Sequence, residues 1–261
     1  MSQTVLVTGA SSGIGQAIAQ LLAERGFKIF GTARKPAAAT SGNVTMVPLD
    51  VRSDDSVRAC IERVGPIDVL VNNAGYALMG SAEETSLDEA KAQLETNFFG
   101  VVRMVKAVLP RMRKAGSGKI INIGSLAGIT AIPFGSFYTA SKFALEGYTE
   151  ALWHELRPFG IHATLIEPGF VSTPIGDSTQ VAAVPLAPYD SVRQRATAAL
   201  GRHVKNGISP EAVAKTVLRA VQSRSPALRY RVGTDAAWLP RLKSVMPWPL
   251  FAVGVRRTFA V

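Results

Sequence analysis

From its third residue the chain alternates between short runs of apolar and β-branched residues and longer amphipathic stretches. The runs at 3–8, 27–33, 44–49, 67–71, 119–124, 161–166 and 228–233 read as strands. Short strands that are apolar on both faces suit a parallel sheet covered on both sides. Between them, helical periodicity is expected near 13–25, 54–63, 87–114, 136–157 and 210–223. The last of these opens Ser209-Pro210-Glu211, an N-cap followed by proline at the first helical position. This alternation predicts one doubly wound α/β domain over residues 1–261, with a mostly parallel seven-stranded sheet flanked by helices. Two stretches depart from it: a mixed segment at 172–208 and an apolar, basic tail at 236–261.

With 261 residues, 47% apolar and 18% charged, the chain can bury a large core, and disorder is excluded as its main state. Its single cysteine, Cys60, excludes an internal disulfide or a cysteine-based zinc site; within a helical pattern it reads as a small buried hydrophobe. His154, His162 and His203 lie far apart and form no metal-binding pattern, so no metal is expected. The net charge of +10 suits phosphate ligands or anionic surfaces. No RNA-binding motif or zinc finger accompanies it, so no nucleic-acid partner is expected. The start, Met1-Ser2-Gln3-Thr4, lacks signal-peptide form, and no apolar run approaches the roughly 18 residues of a spanning helix. A cytoplasmic protein is expected, with the sequon at Asn43 fortuitous.

The first strand runs into Thr8-Gly9-Ala10-Ser11-Ser12-Gly13-Ile14-Gly15, and a helix follows at once. Gly9 permits a tight turn, Gly13 lets backbone amides approach a pyrophosphate, and Gly15 lets the helix pack close to the strand. The helix start offers free N–H groups and its positive dipole end to phosphate. The same residues fit a nucleophile elbow, but that device needs an oxyanion loop from an earlier strand, and none precedes the first. A carboxylate about 20 positions after the glycines would hold the ribose 2′-hydroxyl of NAD. Here the sequence has Gly31-Thr32-Ala33-Arg34-Lys35, whose guanidinium suits the 2′-phosphate of NADP. NADP is the expected cofactor and NAD the alternative.

Tyr138 and Lys142 stand at i and i+4, on one face of the predicted helix at 136–157. A free phenol has a pKa of about 10 and is a poor base at neutral pH; a neighbouring ammonium is expected to lower it. A shift of three units would need roughly 4 kcal/mol. Ser125 follows the strand at 119–124, at the carboxyl end where open α/β sheets bind ligands. It could hold a substrate oxygen beside Tyr138, or serve only as a turn or cap residue.

Together these features resemble the short-chain dehydrogenase/reductase family over about residues 3–235. The matching motifs are Thr8-Gly9-x-x-x-Gly13-x-Gly15, Asp50-Val51, Asn72-Asn73-Ala74-Gly75, Asn97, Ser125, Tyr138-x-x-x-Lys142 and Pro168-Gly169, all in family order. The resemblance implies a Rossmann-like fold and the transfer of a hydride between a nicotinamide and a ketone or secondary alcohol. It makes Tyr138 the general acid/base, Lys142 its partner and a ribose ligand, and Ser125 the group that orients the substrate oxygen. Asn97 would bend its helix and hold a water in a proton relay. The cofactor would be lined by Gly9, Ser11, Ser12, Gly13, Ile14, Gly15, Arg34, Asn73, Ala74 and Gly75. Asp50 and Val51 would flank the adenine, while Pro168, Gly169, Val171 and Thr173 would seat the nicotinamide. Asn72 and Asn73 could equally just stabilise a strand end. A catalytically silent dinucleotide sensor on the same fold is the alternative function. Family members associate through their long helices, so a homodimer or homotetramer is expected through 87–114 and 136–157.

Leu78, Met79, Ile129, Ile132, Phe134 and Phe170 are expected to border the site, with a lid at 172–207 offering Val181, Val184, Leu186 and Tyr189. An apolar pocket selects a hydrophobic substrate, of steroid, retinoid, acyl or terpenoid type. From Arg224 onward there are seven basic residues against one acid, Asp235, and Met246 to Val255 form an apolar run flanked by Lys243, Arg256 and Arg257. Pro247 and Pro249 prevent a long helix there. The tail could be a flap over the pocket, a subunit contact or a peripheral membrane segment.

Overall fold

The computed structural model describes residues 2–37, 40, 41, 43–173 and 179–261. Seven strands run parallel: β1 (Thr4–Val7), β2 (Lys28–Ala33), β4 (Val44–Pro48), β5 (Val69–Asn72), β7 (Gly118–Ile123), β8 (Ile161–Pro168) and β10 (Arg229–Val232). Their order across the sheet is β10-β8-β7-β5-β1-β2-β4, and the two-residue β3 (Thr40–Ser41) adds an antiparallel edge to β4. The chain builds outward from β1 to β4, then returns to place β5 against the other side of β1. That reversal opens a crevice at the carboxyl ends of β1 and β5.

Alternation along the strands sends side chains into two cores. Val5 and Val7 of β1 face the side covered by α1 (Gly13–Glu24) and α7 (Pro210–Gln222), where Ile18, Leu22, Val213 and Val217 are buried. Leu6 faces the side covered by α2 (Asp54–Val64), α4 (Gly100–Ala115) and α5 (Ser136–Leu156), with Met104, Leu145 and Cys60. Cys60 is thus a core residue, and burial pushes its thiol up to about 11.

The helix expected at 87–114 is not uniform. α3 (Leu87–Leu94) and α4 are joined without a break by a five-residue π-turn, Glu95–Phe99, that contains Asn97. Such wide turns displace a side chain from the regular helical spiral and recur at functional sites. Of the lid expected at 172–207, residues 174–178 lie outside the described residues; the part that follows supplies β9 (Thr179–Val181), paired with β6 (Ala77–Met79), and α6 (Asp190–Lys205). The tail forms two helices of twelve residues, α8 (Thr234–Val245) and α9 (Trp248–Phe259), parted at Pro247; Pro249 is tolerated because it sits in the first turn of α9.

Candidate active site

The glycine motif closes the carboxyl end of β1. Gly9 and Gly13 have φ values of +66° and +54°, a region open to glycine at little cost. At Gly15 the constraint is space, since a Cβ would stand 2.2 Å from the Gly9 carbonyl oxygen. Thr8 ties this turn to β5: its hydroxyl accepts from the N–H groups of Asn73 and Ala74 at 2.9 and 3.0 Å. Asn73 donates through Nδ2 to the carbonyls of Thr8 and Gly9, both at 3.0 Å. The first turn of α1 has no acidic residue, and Ser12 makes no side-chain cap bond. In contrast, Ser53 and Ser86 cap α2 and α3, which also begin with acids. The amino end of α1 therefore keeps its N–H groups and positive dipole available to an anion.

One cavity of about 940 Å³ runs along the carboxyl edge of the sheet. It is lined by Gly9, Ser11, Ser12, Gly13, Ile14, Arg34, Asp50 and Val51, by Asn73, Ala74 and Gly75, and by Ser125, Tyr138, Lys142, Pro168, Gly169, Val171 and Thr173. Of the residues singled out from sequence, Gly15 and Asn97 lie behind this wall. Gly15 is packed beneath the turn, and Asn97 is 2% exposed. The amide of Asn97 is occupied on both sides. Its Oδ1 accepts from the N–H of Tyr76 at 3.1 Å, and its Nδ2 donates to the Tyr76 carbonyl at 2.9 Å and to Ser141 Oγ at 3.2 Å. It joins the loop after β5 to α5. Asn72 likewise points inward, donating to Asn122 Oδ1 at 2.9 Å.

Ser125 follows β7 and caps the short turn Leu126–Gly128, its Oγ accepting from the N–H of Ala127 at 3.0 Å. The hydroxyl proton of Ser125 stays free to donate. Tyr138 and Lys142 lie one turn apart on α5, with Nζ of Lys142 5.9 Å from the centre of the phenol ring. Nζ donates to the Ile123 carbonyl at 2.9 Å. The expected lowering of the phenol by this ammonium does not occur in this arrangement. Burial dominates and pushes Tyr138 above its usual range, while the neighbouring Ser125 hydroxyl acts in the other direction. Burial also holds Lys142 down, to about 8, with Glu146 acting against it.

The substrate wall differs from expectation. Met79, Ile132 and Phe170 line the cavity, but Leu78, Ile129 and Phe134 do not. Val181 and Val184 are 62% and 64% exposed, and neither Leu186 nor Tyr189 reaches the cavity. The N–H groups of Ala183 and Leu186 donate to the carboxylates of Glu89 on α3 and of Glu84 just before it, tying that segment down away from the cavity. The wall instead comes from Leu200, His203 and Val204 of α6, Leu239 of α8 and Phe259 of α9. Phe170 stacks on His203 with ring centres 4.9 Å apart, and Phe259 lies 6.3 Å from Phe170. Sequence reasoning named Phe170 but missed its partners His203 and Phe259, which lie 33 and 89 residues further along the chain and share no motif with it. It also missed Arg52, which lines the cavity and grips the Asp50 carboxylate at 2.7 Å. Together with Arg34, this guanidinium holds Asp50 below the usual carboxylate range. The only signal for Arg52 was its place beside Asp50-Val51.

The short chain dehydrogenase family model matches residues 3–182. The chain belongs to this family. Members bind a nicotinamide dinucleotide, and this short-chain dehydrogenase is an oxidoreductase acting on CH–OH groups. It is 40% identical to a 3-ketodihydrosphingosine reductase of Bacteroides thetaiotaomicron, over 99% of this chain and 98% of the relative. It is 37% identical to the 17-beta-hydroxysteroid dehydrogenase type 1 of Homo sapiens, over 93% of this chain and 81% of the relative. A short-chain dehydrogenase from Streptomyces avermitilis superposes with a TM-score of 0.85 at 32% identity, covering 98% of both chains. One from Burkholderia cenocepacia, in complex with NADP, gives 0.78 at 25% identity over 97% of both. One from Burkholderia phymatum, in complex with NAD, gives 0.76 at 28% identity over 87% of this chain and 88% of the other.

Proposed function

We propose that this short-chain dehydrogenase is an NADPH-dependent reductase of lipophilic ketones. The observation that carries the reading is the lateral order of one cavity. Arg34 and Arg52 follow β2 and β4, the glycine turn follows β1, Ser125 follows β7, and the aromatic trio begins after β8. A cationic end and an apolar end therefore flank a proton donor.

The residues fit a phosphorylated dinucleotide. The turn from Gly9 to Gly13 and the open end of α1 would cradle its diphosphate, and Arg34 would pair with a 2′-phosphate. Arg52 neutralises Asp50, which would otherwise repel that group. Asp50 and Val51 would flank the adenine, Ala74 and Gly75 the ribose, and Pro168, Gly169, Val171 and Thr173 the nicotinamide. When bound, the cofactor supplies the hydride. Ser125 then donates a hydrogen bond to the substrate oxygen, and Tyr138 hands it a proton. A phenol kept neutral by burial is the form such a donor needs. Lys142, largely an ammonium at neutral pH, stabilises the phenolate that remains.

The cavity size and its aromatic wall support a long apolar substrate carrying one ketone, and the relatives named for a ketosphingoid and a steroid act on molecules of that kind. NADPH oxidation followed by absorbance, with long-chain, steroid and retinoid carbonyls and with NADH in parallel, tests the proposal. Tight NADPH binding without turnover of any of them would leave the sensor reading in its place.

The tail serves this reading twice. Its inner side walls the cavity, and its outer side exposes Trp238, Leu242 and Val245 at i, i+4 and i+7 on α8, with Trp248, Leu250 and Val253 on α9. Arg241, Arg256 and Arg257 flank this face, while Asp235 points inward and accepts from the N–H of Phe170 at 2.9 Å. Two copies meeting here would oppose like charges; an anionic lipid surface complements them. No helix among the described residues is long and apolar enough to cross a membrane, so the contact is peripheral. Flotation with phosphatidylserine-containing vesicles, lost in Trp238→Glu, is the expected result. No flotation at low salt, or a dimer that this change dissociates, removes it. Assembly as a homodimer or homotetramer through α4 and α5, checked by light scattering, completes the proposal.

A further inference from the structure

Tyr138, Lys142, Glu146 and Glu150 form one stripe along α5, at successive intervals of four residues. Glu146 stands where this stripe meets β8 and β10. Its Oε2 accepts from Arg229 Nε at 3.1 Å, and the same nitrogen lies 3.2 Å from Oε1 of Glu167, which is wholly buried. Oε2 of Glu167 is held by Arg231 Nε at 3.1 Å. Two buried oxygens are left without a hydrogen-bond partner: Oε1 of Glu146 and Oε1 of Glu167. Unpaired buried acceptors are costly, and two carboxylates crowded on one guanidinium repel each other. One proton placed between them answers both defects, since a carboxylic acid donates where a carboxylate only accepts.

We propose that Glu146 carries this proton, shares it with Glu167, and acts as a titrating counter-charge that positions and holds the Lys142 ammonium one turn away. The idea rests on the role given to Lys142 above. The charged groups around Glu146 are Glu167 from β8, Arg229 and, through Glu167, Arg231 from β10, and Lys142 and Glu150 on its own helix. Burial and the Glu167 charge push the Glu146 carboxyl up to about 7. Contact with the catalytic loop is direct. A Cβ at Gly128, the end of the turn capped by Ser125, would lie 3.0 Å from Glu146 Cγ and 3.0 Å from the Lys142 carbonyl oxygen. As pH rises, loss of the shared proton puts a full negative charge beside Lys142 and delays loss of the ammonium. The reductase therefore keeps its proton-donor system to higher pH than Lys142 alone would allow.

The test uses Glu146→Gln, which keeps the shape and a donor toward Glu167 but cannot ionise. The alkaline limb of the kcat/KM profile for ketone reduction should move down by at least about half a pH unit, so that the rate on that limb is roughly threefold lower than the parent's while the rate near about pH 6 is little changed. A profile that superposes on the parent's, or a loss of equal size at every pH, overturns the inference. Difference infrared spectra of the unsubstituted protein should show a protonated carboxyl at about pH 6 that is gone by about pH 8.5; its absence overturns the inference even if the variant does not fold. Lys142→Met separates the two levels. If it leaves reduction intact, the role of Lys142 fails; if it abolishes reduction while Glu146→Gln leaves the limb in place, only the counter-charge fails.

Discussion

Gly15 passes so close beneath Gly9 that a Cβ on it would reach 2.2 Å from the Gly9 carbonyl oxygen and 2.4 Å from Asn73 Nδ2. The start of α1 is thereby fixed against the ends of β1 and β5 together. Gly15→Ala must push α1 away or break the bonds Asn73 makes to Thr8 and Gly9. Overpacking of this kind costs about 1–3 kcal/mol. Thermal melts with and without NADPH should show a lower midpoint and a weakened rise on adding cofactor. An undiminished rise would show that the turn does not hold the phosphates.

Tyr138→Phe removes the proton donor and little volume. Ketone reduction should fall by about 10²–10⁴-fold, the usual weight of general acid catalysis. NADPH affinity, followed by fluorescence titration, should change by less than about threefold, well under 1 kcal/mol. Turnover within tenfold of the parent would remove Tyr138 from its proposed role.

Arg34→Asp replaces the cation proposed for the 2′-phosphate with a repelling charge. The ratio of kcat/KM for NADPH to that for NADH should fall by at least tenfold, about 1.4 kcal/mol, mainly through KM for NADPH. Arg52→Ala frees the Asp50 carboxylate and should move the ratio the same way by a smaller factor. A ratio that stays put in both variants contradicts the NADP reading.

Glu146 makes stability depend on pH in an unusual direction. Its carboxyl is raised from 4.5 to about 7 in the folded chain, so the folded state binds the proton more tightly than the unfolded one. The resulting stabilisation is complete below 4.5 and is lost as pH climbs through about 7. Urea melts at several pH values, compared with Glu146→Gln, should show the parent's margin over the variant shrinking across that window. A margin that grows with pH would mean the carboxyl is ionised throughout.

The sheet was legible because its central parallel strands are apolar on both faces, as burial beneath two helical layers requires, whereas the edge strand β10 carries Arg229 and Arg231. The phosphate turn and the pair Tyr138 and Lys142 were legible because their geometry is local, set by adjacent glycines and by one helical turn. The π-turn at Asn97 left no mark in the apolar periodicity, since α3 and α4 are joined through it without a break. Side chains such as Val181, at the end of β9, and Val184, in the loop after it, were misplaced because apolar character alone does not say which way a short strand or loop faces. The real wall depended on contacts between α6, α9 and the loop after β8, which no short window of sequence contains.

Phe259, third from the end of the chain, stands in the same aromatic stack as Phe170. The part of the molecule proposed to meet the apolar substrate is thus assembled largely downstream of the part that lines the dinucleotide site. Selection can remodel what this enzyme accepts by editing its last seventy or so residues while the redox half stays intact. Swapping that terminal segment between relatives is accordingly a rational route to new carbonyl preferences, and affinity handles belong at the opposite end of the polypeptide.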